Sequence, residues 1–108
     1  MLNQTKNMTR EAVQALQPAL QTISKYDQKL AQQLNEAAAS IADQLAVADT
    51  SETPASRAAQ LRAAAAAAEV GVMLSMSVVK GYVQPKYAAF LRTRLDTITE
   101  RLRHAAAA

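Results

Sequence analysis

The chain has 108 residues, of which 50% are hydrophobic and 19% charged, with a formal net charge of +3 and an isoelectric point near 9.5. It contains no cysteine, which excludes disulfides and thiolate chemistry, and its one histidine is His104. The length fits a single domain. No stretch alternates apolar and polar residues between turn formers, so strands are not expected. Because alanine supplies much of the apolar content, we predict a helical, closely packed chain with a modest core energy.

The charge is divided unevenly along the chain. Residues 1–54 carry four basic and six acidic side chains, a net charge of −2, whereas residues 55–108 carry eight basic and three acidic side chains, a net charge of +5. Oppositely charged halves attract each other, within one chain or between two copies. Such pairing explains the basic isoelectric point at least as well as nucleic-acid binding does.

The first helix is predicted over residues 10–48, with Thr9 as its N-cap. Apolar residues recur there at alternating steps of three and four, which indicates an amphipathic helix with a heptad-like seam. These residues are Val13, Leu16, Leu20, Ile23, Leu30, Leu34, Ala37, Ile41, Leu45 and Ala48. Pro18 removes one backbone hydrogen bond, and we expect it to kink a continuous rod of about 39 residues and about 58 Å. The alternative is a short first helix ending near Gln17, with Pro18 opening a longer one.

The regular spacing of apolar residues along the seam is interrupted near Asp27. We expect Tyr26 to take the buried place there, with Asp27 at the edge of the seam. The alternative is that Asp27 fixes the register between two copies of the helix.

In the second half of the chain, proline and glycine mark the predicted ends of the helices. Residues 49–53 are predicted to form a loop, and Thr53 followed by Pro54 is typical of an N-cap with proline at the first helical position. So short a connection implies an antiparallel hairpin. A second helix is predicted over 54–80, a break over 81–84, where Gly81 and Pro85 interrupt, and a third helix over 85–104. The alanines at 105–108 resemble a cloning remnant and carry no functional weight.

The segment 63–79, AAAAAAEVGVMLSMSVV, is apolar on nearly every face and carries one charge, Glu69. A helix that is apolar all round must be buried on all sides, and 108 residues offer few other elements to surround it. We therefore expect a second copy or a different partner to complete its cover. Glu69 must reach solvent or meet a basic residue such as Arg62, because an unpaired buried carboxylate is costly.

The predicted fold is all-α: a long antiparallel helical hairpin plus a third helix, forming a three-helix bundle that dimerises into a larger helical bundle. The candidate partner interface consists of apolar residues in and after the middle helix, although the same residues also suit an ordinary core. They are Val70, Val72, Met73, Met76, Val79, Tyr82, Tyr87 and Phe90.

The sequence offers no set of residues for enzymatic chemistry. A single histidine near the C-terminus cannot complete a nucleophile–base–acid set, and Gly71 and Gly81, the only glycines, form no phosphate loop. Clusters of metal ligands are also missing, so we expect no catalysis, no cofactor and no metal. The N-terminal segment has no secretory signal, and Glu69 would lie near mid-bilayer in a membrane span. We therefore expect a cytoplasmic protein without a transmembrane segment.

We predict a non-enzymatic protein–protein interaction module that acts through an apolar helical surface, as a small chaperone, adaptor, immunity-type inhibitor or assembly subunit. The alternative is a nucleic-acid-associated regulator that uses the basic C-terminal helix. Its candidate contacts are Arg92, Arg94, Arg101 and Arg103. Asp96 and Glu100 interleave with these arginines, which is more typical of a solvated helix face.

Overall fold

The computed structural model describes residues 2–48 and 53–107, which form four α-helices and no strand. The helices are α1 (Leu2–Tyr26), α2 (Gln28–Val47), α3 (Pro54–Val79) and α4 (Pro85–Ala107). The all-helical prediction is confirmed. The prediction of three helices is wrong, because the long first helix is in fact two helices.

The start of α1 differs from the prediction. The helix already begins at Leu2, and the Thr9 hydroxyl caps nothing: it donates to the Thr5 carbonyl oxygen at 2.9 Å inside the helix. Pro18 lies within α1 on its exposed side, so the helix continues through Pro18 as expected and does not end near Gln17. Leu16 and Leu20 stay buried on either side of it.

The chain reverses at Asp27 instead. Its backbone is extended, with φ −153° and ψ 91°, and its carboxylate accepts a hydrogen bond of 3.0 Å from the Leu30 N–H. Asp27 is therefore the N-cap of α2. The expected burial of Tyr26 is wrong too: its side chain is 67% exposed, and its ring stacks on Tyr82 with centroids 5.3 Å apart. The reversal keeps the longest dimension of the Cα trace at 42 Å, shorter than the predicted rod.

Each helix packs against two others, and each neighbouring pair runs antiparallel. The α1–α2 pair brings residues 9–16 beside Ala38 and Ile41, and the Arg62 Nε donates to Gln44 Oε1 at 2.9 Å between α3 and α2. Between α4 and α1, the Tyr87 hydroxyl donates to the Ala15 carbonyl oxygen. The helices thus enclose one core, with α1 next to α2 and α4, and α3 next to the same two helices.

The helices contribute different side chains to this core. Leucine and isoleucine dominate the contributions of α1, α2 and α4, whereas α3 contributes mainly alanine. The buried apolar residues of α3 are Ala59, Ala63, Ala64, Ala66, Ala67, Val70, Met73 and Leu74. Small side chains allow helix axes to approach near the lower end of the roughly 8–10 Å range, so α3 packs closely between its two neighbours.

Both ends of α3 follow the predicted backbone chemistry. The Thr53 hydroxyl accepts a hydrogen bond of 3.1 Å from the Ser56 N–H, and Pro54 is the first helical residue. At the other end, Gly81 adopts φ +79° and its N–H donates to Val78 O at 3.0 Å, while the Tyr82 N–H donates to Ser77 O at 2.8 Å. These two bonds form a Schellman motif, which ends the helix at a left-handed glycine.

Of the predicted loop, residues 49–52 lie outside the described residues. The last helix is longer than predicted, since α4 continues from Pro85 to Ala107 and therefore includes three of the four terminal alanines. Ala108 lies outside the described residues.

Candidate functional site

The outer face of α3 is apolar along most of the helix. Six residues recur at steps of four and three, so they form one line along the side of α3 that faces away from the core. We call this line the α3 stripe; it consists of Leu61, Ala65, Ala68, Val72, Met76 and Val79, all exposed. The exposed fraction reaches 87% at Val79 and 59% at Val72. The stripe spans 19 residues, and its first and last Cα atoms are roughly 27 Å apart along the helix.

The opposite face of α3 is already filled. Ala63, Ala67 and Leu74 are completely buried, with an exposed fraction of 0%, and Val70 with 1% is nearly so. The core of a single chain therefore does not include the α3 stripe. Among the described residues, α3 is also the one helix long and apolar enough to cross a membrane by length and composition, and 50% of its most apolar window is buried inside the bundle. A core helix has the same composition.

The structure divides the eight predicted interface residues into four groups. Val72, Met76 and Val79 lie in the α3 stripe. Val70 and Met73 belong to the core, and Tyr82 and Tyr87 are half-buried. Phe90 is exposed but lies on the side of α4 that faces α1, where the Arg94 guanidinium carbon is 4.7 Å from its ring centre. The eight residues thus do not form one surface.

Three members of the stripe, Leu61, Ala65 and Ala68, were missing from the predicted interface. Their signal in the sequence is the spacing of four and three that continues backwards from Val72. It is weak, because the two alanines lie in a run of identical residues, where any phase can be chosen.

Polar side chains border the stripe on both edges. On the edge next to α2, Arg62 bonds to Gln44, and Glu69 is exposed beside Glu36 and Ser40. Of the two alternatives for Glu69, solvent exposure is therefore the one observed. On the edge next to α4, the Arg92 guanidinium donates to Ser75 Oγ at 2.6 Å. An apolar strip with a polar border is typical of a surface that contacts another protein.

Gly71 lies close to Arg92. A Cβ added at Gly71 would be 3.8 Å from the Arg92 Nε, which is ordinary van der Waals contact. The position of Arg92 therefore does not require a glycine at residue 71.

The arginines of α4 do not form a single basic face. By helical geometry, Arg92 and Arg103 lie along one flank and Arg94 and Arg101 along the other, with Glu100 on the outermost line between them. Two of the four are already engaged within the chain: Arg92 bonds to Ser75, and the Arg94 Nη1 lies 3.4 Å from a carboxylate oxygen of Glu11.

Two grooves lie away from the stripe. One, of about 660 Å³, runs between α1 and the α3–α4 turn and is lined by residues such as Pro18, Tyr82 and Tyr87. The other, of about 370 Å³, lies between α1 and α2 and is lined by alanines together with Lys6 and Arg10. In the described part of the chain, no group of three or more His, Cys, Asp or Glu side chains is arranged to hold a metal ion.

No protein-family model, curated protein or solved structure matches this chain. The case for its function therefore depends on the chemistry of its own surface. Among the described residues, four of the seven exposed large hydrophobic side chains lie in the α3 stripe.

Proposed function

We propose that this chain is a non-enzymatic protein-interaction module that binds a helix of another polypeptide through the α3 stripe. The observation that carries the proposal is the presence of Leu61, Val72, Met76 and Val79 on the outer face of a helix whose inner face is already buried. Burying a whole side chain of this size contributes about 1.5–3 kcal/mol. A partner that covered the exposed parts of these four would gain several kcal/mol.

The spacing of the stripe favours a helix as the binding element. Steps of four and three produce the seam along which two helices pack side by side. Ala65 and Ala68 lie between Leu61 and Val72 in the stripe and allow a partner helix to approach closely. Such a module suits an adaptor, a small chaperone, an immunity-type inhibitor or a subunit of an assembly.

A matched pair of valines provides the test. Val72 lies in the stripe and is 59% exposed, while Val47 lies at the end of α2 and is 60% exposed. With a photoreactive benzoylphenylalanine at either position, we expect polypeptide adducts from position 72 and few from position 47. Equal labelling from both positions, or no polypeptide adduct from position 72, would contradict the proposal.

A salt series separates this proposal from the nucleic-acid alternative. Phosphate binding through arginines gives an affinity that falls steeply with salt, because counterions are released on binding. We expect weak retention of the chain on heparin at physiological salt. Strong retention that is lost in the variant Arg101→Ala/Arg103→Ala would favour the alternative instead.

A further inference from the structure

We infer that the helix which covers the α3 stripe is the α3 of a second copy, packed antiparallel about a point between residues 66 and 67. This inference rests on the proposed function and names its partner. The first argument is symmetry. Leu61 lies as far before that point as Val72 lies after it, and Ala65 as far before it as Ala68 after it. The same point is the midpoint of α3, which spans Pro54–Val79.

An antiparallel pair centred there matches side-chain sizes over residues 61–72. Leu61 of each copy meets Val72 of the other, and Ala65 meets Ala68. The four alanines at the centre let the axes approach closely, and the leucine–valine pairs fill the space on either side of them. This part of the stripe thus provides a self-complementary surface, as a twofold interface requires. Met76 and Val79 lie beyond it, opposite Arg57 and Pro54 of the other copy.

The charges at the edge next to α2 select the antiparallel direction. A twofold axis perpendicular to the helices places this edge of both copies on the same side of the interface. Arg62 of one copy then lies within two residues, roughly 3 Å along the axis, of Glu69 of the other. Symmetry makes two such pairs of opposite charge. In a parallel pair the heptad geometry would instead set Arg57 against Arg62, two like charges.

The size of the contact predicts a weak dimer. The 26 residues of α3 are about 39 Å long, and a helix with its side chains is roughly 10–12 Å wide, so each copy contributes a footprint of roughly 400 Å². Two copies together bury about 800–900 Å², which is below the range of about 1,200–2,000 Å² typical of stable complexes. We therefore expect a dissociation constant in the micromolar range.

Cysteine cross-linking tests partner and register together, since the natural chain contains no cysteine. We would prepare Leu61→Cys and Val72→Cys chains with tags of different mass and oxidise them mildly, separately and mixed. A disulfide needs Cα atoms within about 7 Å, whereas positions 61 and 72 lie roughly 16 Å apart along one helix. The antiparallel dimer predicts that the mixture cross-links and that neither chain does so alone.

The other outcomes overturn the inference in identifiable ways. Efficient cross-linking of each chain with itself indicates a parallel pair. No cross-link in the mixture at 100 µM, roughly a hundred times the expected order of the dissociation constant, excludes the second copy as the occupant. A mixture of Leu61→Cys and Val47→Cys is the matched control, and it should stay uncoupled.

A charge-exchange series gives a second, non-covalent readout. Arg62→Glu and Glu69→Arg each replace two attractive pairs with two repulsive ones, and we expect each to weaken dimerisation about ten-fold. The double variant Arg62→Glu/Glu69→Arg restores opposite charges and should return to within about three-fold of the wild type. Failure of the double variant to recover, with its helical circular dichroism intact, overturns the proposed register.

These tests distinguish failure of the inference from failure of the proposed function. If no cysteine pair couples but position 72 still labels another polypeptide, the second copy is excluded and the interaction module stands. If neither occurs, both fail. Co-flotation with phosphatidylcholine–phosphatidylglycerol vesicles that Val72→Glu abolishes, without any cross-link between chains, assigns the stripe to a bilayer surface and overturns the inference.

Discussion

The neighbouring helices α2 and α3 have comparable lengths, 20 and 26 residues, but their outer faces differ. The outer face of α2 carries Gln32, Asn35, Glu36 and Asp43, all exposed, whereas that of α3 carries the α3 stripe. The comparison shows that the leucines and the isoleucine of α2 are all buried within the chain, whereas Leu61, Val72, Met76 and Val79 of α3 stay exposed.

The largest expected effect is on stability, and a matched pair of leucines on opposite faces of α3 tests it. Leu74 has an exposed fraction of 0%, while Leu61 is 52% exposed. We predict that Leu74→Ala lowers the free energy of unfolding by about 2–5 kcal/mol, because it leaves a cavity in the core. Leu61→Ala should change it by less than about 0.5 kcal/mol under conditions where the chain is monomeric. Urea denaturation at low protein concentration measures both, and a similar loss for the two variants would show that the stripe belongs to the core.

The next largest expected effect is on dimerisation, and the matched valines on the outer faces of α3 and α2 test it. We predict that Val72→Glu raises the dissociation constant of the dimer by roughly 100-fold or more, because each copy would then bury an unpaired carboxylate. Val47→Glu should change it by less than about three-fold. Both variants should keep the wild-type circular dichroism, since glutamate is a good helix former. Dilution calorimetry measures the constants, and an equal effect of both substitutions would remove the distinction between the two faces.

A smaller effect is expected where α3 ends. Gly81 adopts a positive φ, and a Cβ added there would meet no atom within 4 Å, so an alanine would be opposed by backbone conformation alone. We predict that Gly81→Ala lowers the free energy of unfolding by about 1–2 kcal/mol. Thermal unfolding followed by circular dichroism should detect this, with Ala89→Gly, an exposed position inside α4, as a comparison of the reverse substitution. No change in Gly81→Ala would contradict the Schellman motif.

The smallest effect concerns the reversal between α1 and α2. We predict that Asp27→Ala lowers the free energy of unfolding by about 1 kcal/mol, because the Leu30 N–H loses its side-chain acceptor. Asp27→Asn keeps an acceptor oxygen and should retain most of the stability. Urea denaturation distinguishes them, and equal stability of the alanine and asparagine variants would show that Asp27 does not act as a cap.

The sequence was sufficient to predict the helix ends that depend on local backbone chemistry. Thr53 with Pro54 and Gly81 with Pro85 act through hydrogen bonds and φ preferences of adjacent residues, so their effect does not depend on the rest of the fold. The continuation of α1 through Pro18 was also predictable, because the cost of the proline is local and the burial of Leu16 and Leu20 on either side outweighs it.

The reversal at Asp27 and the extent of the stripe were harder to predict. The chain turns back over a single residue, so the apolar residues on both sides also fit one continuous helix, and only the contacts between α1 and α2 distinguish the two. For α3 the difficulty lies in its composition. When both faces of a helix are apolar, periodicity cannot tell which face meets the core. The sequence alone therefore could not distinguish the exposed Ala65 from the buried Ala64, whose burial depends on the packing of α2 and α4.

Sedimentation equilibrium of the wild-type chain over about 1–200 µM tests the central claim most directly, because it asks whether the bare face of α3 is covered by another copy. The account predicts a mass that rises from 11.6 kDa toward twice that value across this range, and a Val72→Glu chain that stays at 11.6 kDa throughout. A folded wild-type chain that sediments as a monomer at 200 µM, or a Val72→Glu chain that still doubles its mass, would contradict it.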